Sequence, residues 1–279
     1  MITCNLSGGL GNQLFQIFAT ISYAIKYNMN FLFLYSHISP SISRRVTYWD
    51  TFLKRLKCFT SNNLPPIQLN ISEKSFNYNE LYNPDSSINI CLNGYFQSYK
   101  YFCDNEDIIL KLLMIEHNKK EILSQEGIFK NYFDNSASIH FRLGDYKNLP
   151  EYHPILPYEY YSKSISFLKL KNKNIKKIFY FCENSDIADV LIKINKLKIE
   201  FPEISFVREF NILSDWQQML FMSWCQHNII ANSTFSWWGA YFNTNPDRIV
   251  CYPSVWFGSK LTNNDTRDLF PSTWNKISL

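Results

Sequence analysis

The chain has 279 residues, of which 46% are hydrophobic and 19% are charged, and its formal net charge at pH 7 is +4. This composition excludes a disordered chain, a coiled coil and a collagen-like chain, and it argues against a dedicated nucleic-acid-binding protein. Aromatic residues make up 17% of the chain, an excess that either fills the core or lines a ligand site. At about 150 residues per domain, the length predicts two domains.

The sequence predicts neither a signal peptide nor a membrane anchor. Residues 1–13 lack a basic segment followed by an apolar one, and the most apolar stretch, residues 14–35, is interrupted by polar side chains. The seven cysteines include no C-x-x-C pair, which indicates buried free thiols in a reducing compartment. We therefore expect a cytoplasmic protein that is soluble or peripherally attached to a membrane surface.

Short apolar runs alternate with amphipathic segments along the chain, which indicates β/α units. In the first half, the predicted strands and helices are strand 1–6, helix 12–27, strands 31–35 and 88–92, and helices 108–114 and 119–124. In the second half they are strand 137–142, helix 158–170, strand 178–182, helix 185–196 with Ser185 as N-cap, strand 204–207, helix 215–227, strand 228–231, helix 234–242 and strand 248–252. This order predicts an α/β protein with two Rossmann-like domains, residues 1–130 and 131–279, facing each other across a central cleft.

The first motif is GGLGNQ at residues 8–13, between the first strand and the first helix. Glycines let the backbone turn tightly and approach a ligand, and the helix N-terminus offers N–H groups and the positive end of the helix dipole. Gly11 and Asn12 are therefore candidate ligand contacts, and Gln13 could hold a sugar hydroxyl. The alternative is an ordinary turn, because the spacing matches neither G-x-G-x-x-G nor a P-loop.

The second motif is IHFRLGDY at residues 139–146. His140 and Arg142 stand two residues apart and so share one face of a strand, whose carboxyl end is where open α/β sheets bind ligands. The planar guanidinium of Arg142 suits a phosphate, and Gly144 permits a sharp turn towards Asp145. The alternative is an Arg142–Asp145 pair that only fixes this turn.

The third motif is NIIANSTFSWWGA at residues 228–240, where a strand leads through a hydroxyl-rich loop into a helix. Ser233, Thr234 and Ser236 can cap that helix. Together with the N–H groups of the helix N-terminus they could also hold a phosphate. The alternative is a well-capped helix with aromatic packing.

Read together, the three motifs resemble glycosyltransferase family 11, the α-1,2-fucosyltransferase family, and the resemblance covers about residues 1–260. It implies a GT-B-like fold and an inverting, metal-independent transfer of L-fucose from GDP-fucose. It also implies that the C-terminal domain binds the nucleotide sugar and the N-terminal domain contributes the acceptor side.

The resemblance carries over to individual residues. Arg142 corresponds to the arginine that holds the diphosphate, and His140 to a nucleotide contact. Glu183 stands where related enzymes place a carboxylate against guanine, with a solvated helix-capping role as the alternative. The second arginine that often follows the first is Leu143 here. The third motif corresponds to diphosphate or ribose contacts at Asn232, Ser233, Thr234 and Ser236.

Transfer also needs a base that takes the proton of the acceptor hydroxyl. Asp145 and His153 follow the arginine strand and are alternative candidates, with Glu151 ranked below them. His153 has a suitable unperturbed pKa, although a loop histidine bonded to backbone would look the same. No D-x-D-like motif stands in a suitable loop, so Arg142 and helix N-termini are expected to replace a divalent metal at the diphosphate.

The predicted partners are GDP-fucose and a glycan acceptor, a terminal galactoside that receives an α-1,2 linkage. No nucleic-acid partner, no metal and no other cofactor is expected. Two alternatives remain open: a related GDP-sugar transferase with another donor or linkage, and a non-catalytic protein that binds nucleotide sugars or glycans.

Overall fold

The computed structural model describes residues 1–39, 45–172, 174–208 and 212–279. The chain forms two compact units: Met1–Lys120 with Asn264–Pro271, and Glu121–Asn263 with Ser272–Leu279. The division falls after residue 120, whereas the sequence predicted a boundary after residue 130. The sequence did not predict that residues 264–271 belong to the first unit. That segment is held by Asp268, whose carboxylate accepts from Lys100 Nζ at 2.5 Å and whose carbonyl accepts from Ser98 Oγ at 2.6 Å.

Within its described residues, the first unit contains five strands and three helices. They are β1 (Ile2–Cys4), α1 (Leu10–Lys26), β2 (Phe33–Leu34), β3 (Thr60–Ser61), β4 (Leu69–Ser72), β5 (Ile90–Asn93), α2 (Glu106–Leu112) and α3 (Ile115–Gln125), the last of which contains the division between the units. A three-stranded parallel sheet has the order β1–β5–β4, and β2 pairs with β3 in a second parallel sheet.

Helix α1 is the centre of the first unit's core. The sequence predicted one apolar face, but nearly every residue from Leu10 to Ala24 is buried. The helix follows a glycine turn in which Gly8 has φ +76°, and a Cβ at Gly8 would lie 2.3 Å from Asn12 Nδ2. Glycine is therefore required at this turn for both its conformation and its size.

The part of the second unit that the structure describes contains six strands and four helices. They are β6 (Ser136–His140), α4 (Tyr158–Lys171), β7 (Lys177–Phe181), α5 (Ile187–Glu200), β8 (Ser205–Val207), α6 (Asp215–Met222), β9 (His227–Ile229), α7 (Thr234–Tyr241), β10 (Val250–Pro253) and β11 (Asn275–Ile277). All six strands are parallel, in the order β8–β7–β6–β9–β10–β11. The α/β class with parallel sheets is thus confirmed. Counted along the chain, the order is 3-2-1-4-5-6, that of a doubly wound nucleotide-binding sheet.

Large aromatic side chains fill the core of the second unit. Tyr160 and Tyr161, which the sequence assigned to packing, are fully buried, and Tyr160 Oη donates to the Ile230 carbonyl at 2.5 Å. Trp237 and Trp238 are also fully buried, with their rings 5.0 Å apart and edge to face. Each fully buried side chain of this kind stabilises the fold by about 1.5–3 kcal/mol through burial alone, so most of the aromatic excess is core.

Two predicted helix boundaries were wrong. The helix predicted from residue 185 begins at Ile187 after a 3₁₀ turn, and its N-cap is Asp186 instead of Ser185. The helix predicted to reach residue 227 ends at Met222, because His227 is already the first residue of β9. The sequence also failed to predict the short strands β3, β4 and β11.

All seven cysteines are free thiols, and four of them are buried: Cys4, Cys91, Cys225 and Cys251. In the part of the chain that the structure describes, no helix is both long and apolar enough to cross a membrane.

Candidate active site

The three-strand halves of the second sheet meet between β6 and β9, and the second and third motifs leave the sheet there. His140 ends β6 and Arg142 follows two residues later, while Asn232 and Ser233 lead from β9 into α7. Since β6 pairs with β9 in parallel, with Ile139 opposite Ile229, both loops emerge at the same carboxyl edge. This is where a doubly wound sheet binds its ligand.

Arg142 is about one-fifth exposed and lies between two carboxylates. Its Nη2 donates to Asp145 Oδ1 at 2.5 Å, and its Nη1 donates to Glu183 Oε1. Its guanidinium carbon lies 5.1 Å from the centre of the Tyr146 ring. The structure thus contains the Arg142–Asp145 pair and adds Glu183 to it, so Glu183 faces the arginine loop.

Asp186, a residue that the sequence did not single out, supports the turn after Arg142. The Asp186 side chain is 3% exposed. It accepts a hydrogen bond from the Gly144 N–H at 2.6 Å and forms an ion pair with Lys147 Nζ at 2.8 Å. Gly144 has φ +34°, and a Cβ there would lie 3.0 Å from Glu183 Oε1. A larger residue at this position would therefore crowd the Glu183 carboxylate that pairs with Arg142. A carboxylate just before a helix was the available signal, but it is equally typical of an ordinary N-cap.

Tyr146 connects the second motif to the third and to His153. Its hydroxyl donates to the Asn232 carbonyl at 2.9 Å, and its ring stacks on His153 with centroids 4.7 Å apart and planes 18° apart. The pKa of His153 is lowered, mainly by burial. The charge of Asp145 raises this pKa by a smaller amount, and the charge of Arg142 lowers it. His153 is therefore neutral near pH 7 and able to accept a proton. Glu151 instead pairs with Lys260 at 2.7 Å and is exposed.

Two buried polar atoms at this edge have no hydrogen-bond partner among the described residues: His140 Nδ1 and Asn232 Oδ1. Burial, reinforced by the charge of Arg142, lowers the pKa of His140 to about 3, so its ring is neutral. The Asn232 amide is fixed by donating to the Pro154 carbonyl at 2.9 Å. Buried polar groups without partners are rare in folded proteins and are expected where a ligand or water completes the structure.

The hydroxyl groups of the third motif divide into two kinds. Ser233 occupies the N-cap position of α7 without a side-chain capping bond, and Thr234 is partly exposed in the first turn. Ser236 is 1% exposed, and its hydroxyl accepts from the Ala231 N–H and donates to the Ser233 carbonyl. Ser236 therefore holds the loop from inside, and its expected contact with a ligand stays a prediction.

The first unit carries the remaining predicted contacts. Gly11 is buried in the first turn of α1, whereas Asn12 is partly exposed and its Oδ1 accepts from Gln97 Nε2 at 3.1 Å. Gln13 is fully buried and its Nε2 donates to the Gly8 carbonyl at 3.0 Å, so it braces the glycine turn. The expected contacts of Gly11 and Gln13 with a ligand stay predictions.

Across the described ranges, no three His, Cys, Asp or Glu side chains come together to hold a metal ion. A surface groove of about 750 Å³ lies away from this edge, near the amino ends of β6 and β7, where Asn135 and Lys177 line it. We place the site at the carboxyl edge because the arginine, the histidines and the α7 N-terminus converge there.

The model of glycosyl transferase family 11 matches residues 1–278. The chain belongs to this family. The resemblance drawn from the three motifs is thereby confirmed, and the protein is a family 11 glycosyltransferase.

Curated relatives extend over almost the whole chain. An O-antigen biosynthesis glycosyltransferase, WbnK, from Escherichia coli is 30% identical, covering 94% of this chain and 98% of the relative. An alpha-1,2-colitosyltransferase from Escherichia coli is 25% identical over 99% of both chains. A galactoside 2-alpha-L-fucosyltransferase from Caenorhabditis elegans is 23% identical, covering 100% of this chain and 79% of the relative.

Among solved structures, a family 9 glycosyl transferase from Veillonella parvula aligns with 60% of this chain and 40% of its own, at 15% identity and a TM-score of 0.32.

Proposed function

We propose that the protein transfers L-fucose from GDP-fucose to a hydroxyl of a glycan acceptor, with inversion at the anomeric carbon and an α-1,2 linkage to a terminal galactoside. The observation that carries this proposal is the position of Arg142 at the carboxyl end of β6, beside the N-terminus of α7, in a chain of family 11. We further propose a GT-B-like arrangement, with the second unit binding the donor and the first unit, through Asn12, meeting the acceptor.

Arg142 and α7 are assigned to the leaving diphosphate. The guanidinium stands between two carboxylates, so the three side chains carry a net charge of −1. The diphosphate takes the place of one carboxylate on Arg142, because two N–H donors of the fork fit two phosphate oxygens. The positive end of the α7 dipole adds to this stabilisation. Together they supply the charge that a divalent metal would otherwise provide.

His153 is the base that the geometry favours over Asp145. Asp145 is engaged by Arg142 at 2.5 Å, whereas burial lowers the pKa of His153 and keeps the ring unprotonated. The acceptor oxygen attacks the anomeric carbon, its proton passes to His153, and the bond from that carbon to the β-phosphate oxygen breaks. The rate should therefore fall on acidification with a midpoint below pH 6.5. A pH profile that is unchanged in an active His153→Gln variant would assign the base to Asp145.

A second donor is favoured by the colitosyltransferase relative. Colitose is L-fucose without its 3-hydroxyl group, so a site for one sugar differs from a site for the other by one polar contact. The experiment that tests the proposal incubates the protein with GDP-fucose or GDP-colitose and a panel of galactosides, followed by linkage analysis of the product.

We expect transfer from GDP-fucose and an α-1,2 product. Preferred use of GDP-colitose would replace the donor while keeping the reaction. GDP binding without turnover of either donor on any acceptor would contradict the enzyme proposal and favour a non-catalytic binding protein.

A further inference from the structure

A second arginine lies at the carboxyl edge of the nucleotide-binding sheet, and the mechanism above does not use it. Arg208 directly follows β8, and its Nη2 donates to Asn184 Oδ1 at 2.6 Å. Asn184 itself lies just beyond the end of β7. Within the described part of the chain, no carboxylate forms an ion pair with Arg208, whereas Arg142 has two. Arg208 also has a side-chain hydrogen bond with Cys182, and the N–H donors that these two side chains do not use are open to a ligand.

The strand order places Arg208 further along the same carboxyl edge. Strand β8 lies two strands from β6, which Arg142 follows, and three strands from β9, which leads into α7. At about 4.8 Å per strand, the spacing is about 10 to 14 Å. A nucleoside diphosphate spans this distance between its terminal phosphate and the far edge of its base. With its diphosphate on Arg142 and the N-terminus of α7, a nucleotide laid along the carboxyl edge brings its base to Arg208.

The chemistry of Arg208 selects among bases. Guanine presents two acceptors, O6 and N7, on one edge, and the guanidinium fork matches them with two parallel N–H donors. Adenine carries an amino group in place of O6 and therefore offers only one acceptor there. The bond to Asn184 holds the fork in one orientation, which limits the entropy lost when it binds.

We infer that Arg208, braced by Asn184, recognises the O6/N7 edge of guanine and gives the site its preference for a GDP-linked donor. This inference rests on the proposed function, because it assumes a nucleoside-diphosphate sugar at Arg142.

The test measures dissociation constants by calorimetry for GDP, ADP and 7-deaza-GDP, which lacks the N7 acceptor. The proteins are the wild type, Arg208→Ala, Arg208→Lys and the control Arg248→Ala, an exposed arginine at the amino end of β10 in the same sheet. Arg208→Ala should weaken GDP binding by about 5- to 150-fold, the worth of a bidentate base contact, and should change ADP binding by less than about threefold.

The other proteins and ligands sharpen the expected result. Wild type should bind 7-deaza-GDP more weakly than GDP, and Arg208→Ala should bind the two alike. Arg208→Lys should keep part of the preference for guanine, since an ammonium group also donates to O6 and N7 but lacks the rigid planar fork. Arg248→Ala should behave as wild type with every nucleotide.

Equal weakening of GDP and ADP in Arg208→Ala would place Arg208 on a phosphate and overturn the inference. So would unchanged GDP affinity in folded Arg208→Ala, or equal affinity of wild type for GDP and 7-deaza-GDP, a comparison that needs no variant. Each of these three results would leave the proposed GDP-sugar donor in place. A wild type that binds ADP as tightly as GDP would instead contradict the proposed donor, and this inference with it.

Discussion

Removing the Asp186 carboxylate should destabilise the second unit and loosen the arginine loop. Asp186→Ala removes the acceptor of the Gly144 N–H, at 2.6 Å, and one partner of Lys147, at 2.8 Å. A hydrogen bond to a charged group contributes about 1.5–3 kcal/mol, and the stranded N–H adds to the loss. Lys147 is 39% exposed and returns to water, so we assign no further loss to it. The expected decrease in the free energy of unfolding is about 2–3 kcal/mol.

Asp189 provides the matched control. It pairs with the same Lys147 at 2.7 Å, but its side chain is 54% exposed, and surface substitutions usually change stability by no more than about 0.5 kcal/mol. Urea unfolding followed by tryptophan fluorescence measures both variants. Asp186→Ala should also lower the turnover number for transfer, because the turn that it fixes carries Asp145 and Tyr146, while Asp189→Ala should keep it. Equal stability losses in the two variants would refute the assignment of Asp186 as the support of this loop.

Three further predictions concern the leaving group and the buried histidines. Arg142→Ala should lower the transfer rate by about 10²–10³-fold with the circular dichroism spectrum unchanged, and near-normal turnover by the folded variant would remove Arg142 from the mechanism. EDTA should leave the rate unchanged, whereas a loss that only Mn²⁺ or Mg²⁺ restores would contradict transfer without a metal. Burial is the main cause that lowers the pKa of His140 to about 3 and the pKa of His227 to about 4. Below pH 6.5 only the unfolded chain gains these protons, so the free energy of unfolding should fall by about 1.4 kcal/mol per pH unit for each histidine. His227→Gln should reduce this slope between about pH 6.5 and 4, and an unchanged slope in urea titrations would exclude His227 as a source.

The strongly periodic elements of the second unit could be predicted from sequence because burial dictates them. The strand predicted at 178–182 is Lys177–Phe181, and the helix predicted at 158–170 is Tyr158–Lys171. Strand β4 gave no such signal, since Ile71 is its only buried residue and its neighbour on the sheet, β5, begins at residue 90. The helix before β9 was predicted too long because the apolar residues Trp224 and Cys225 continue its pattern into the turn.

The candidate site was predictable where it consists of sequence motifs and not where it depends on register. Arg142 and His140 stand out in one segment, and their common strand end follows from the two-residue spacing. Asp186, before α5, and Arg208, after β8, belong to no recognisable motif. Only the parallel pairing of β6, β7 and β8 brings these two residues to the same edge as Arg142. The charge balance at Arg142 was also beyond the sequence, because Glu183 is 41 residues away.

The crystal structure of the protein with GDP is the most direct test of the central claim, that the carboxyl edge of the second sheet binds the donor diphosphate through Arg142 and α7. We predict diphosphate oxygens within hydrogen-bond distance of the Arg142 guanidinium and the first turn of α7, with at least one of Asp145 and Glu183 displaced from the arginine. A diphosphate bound elsewhere on the protein, with both carboxylates still on Arg142, would contradict the claim.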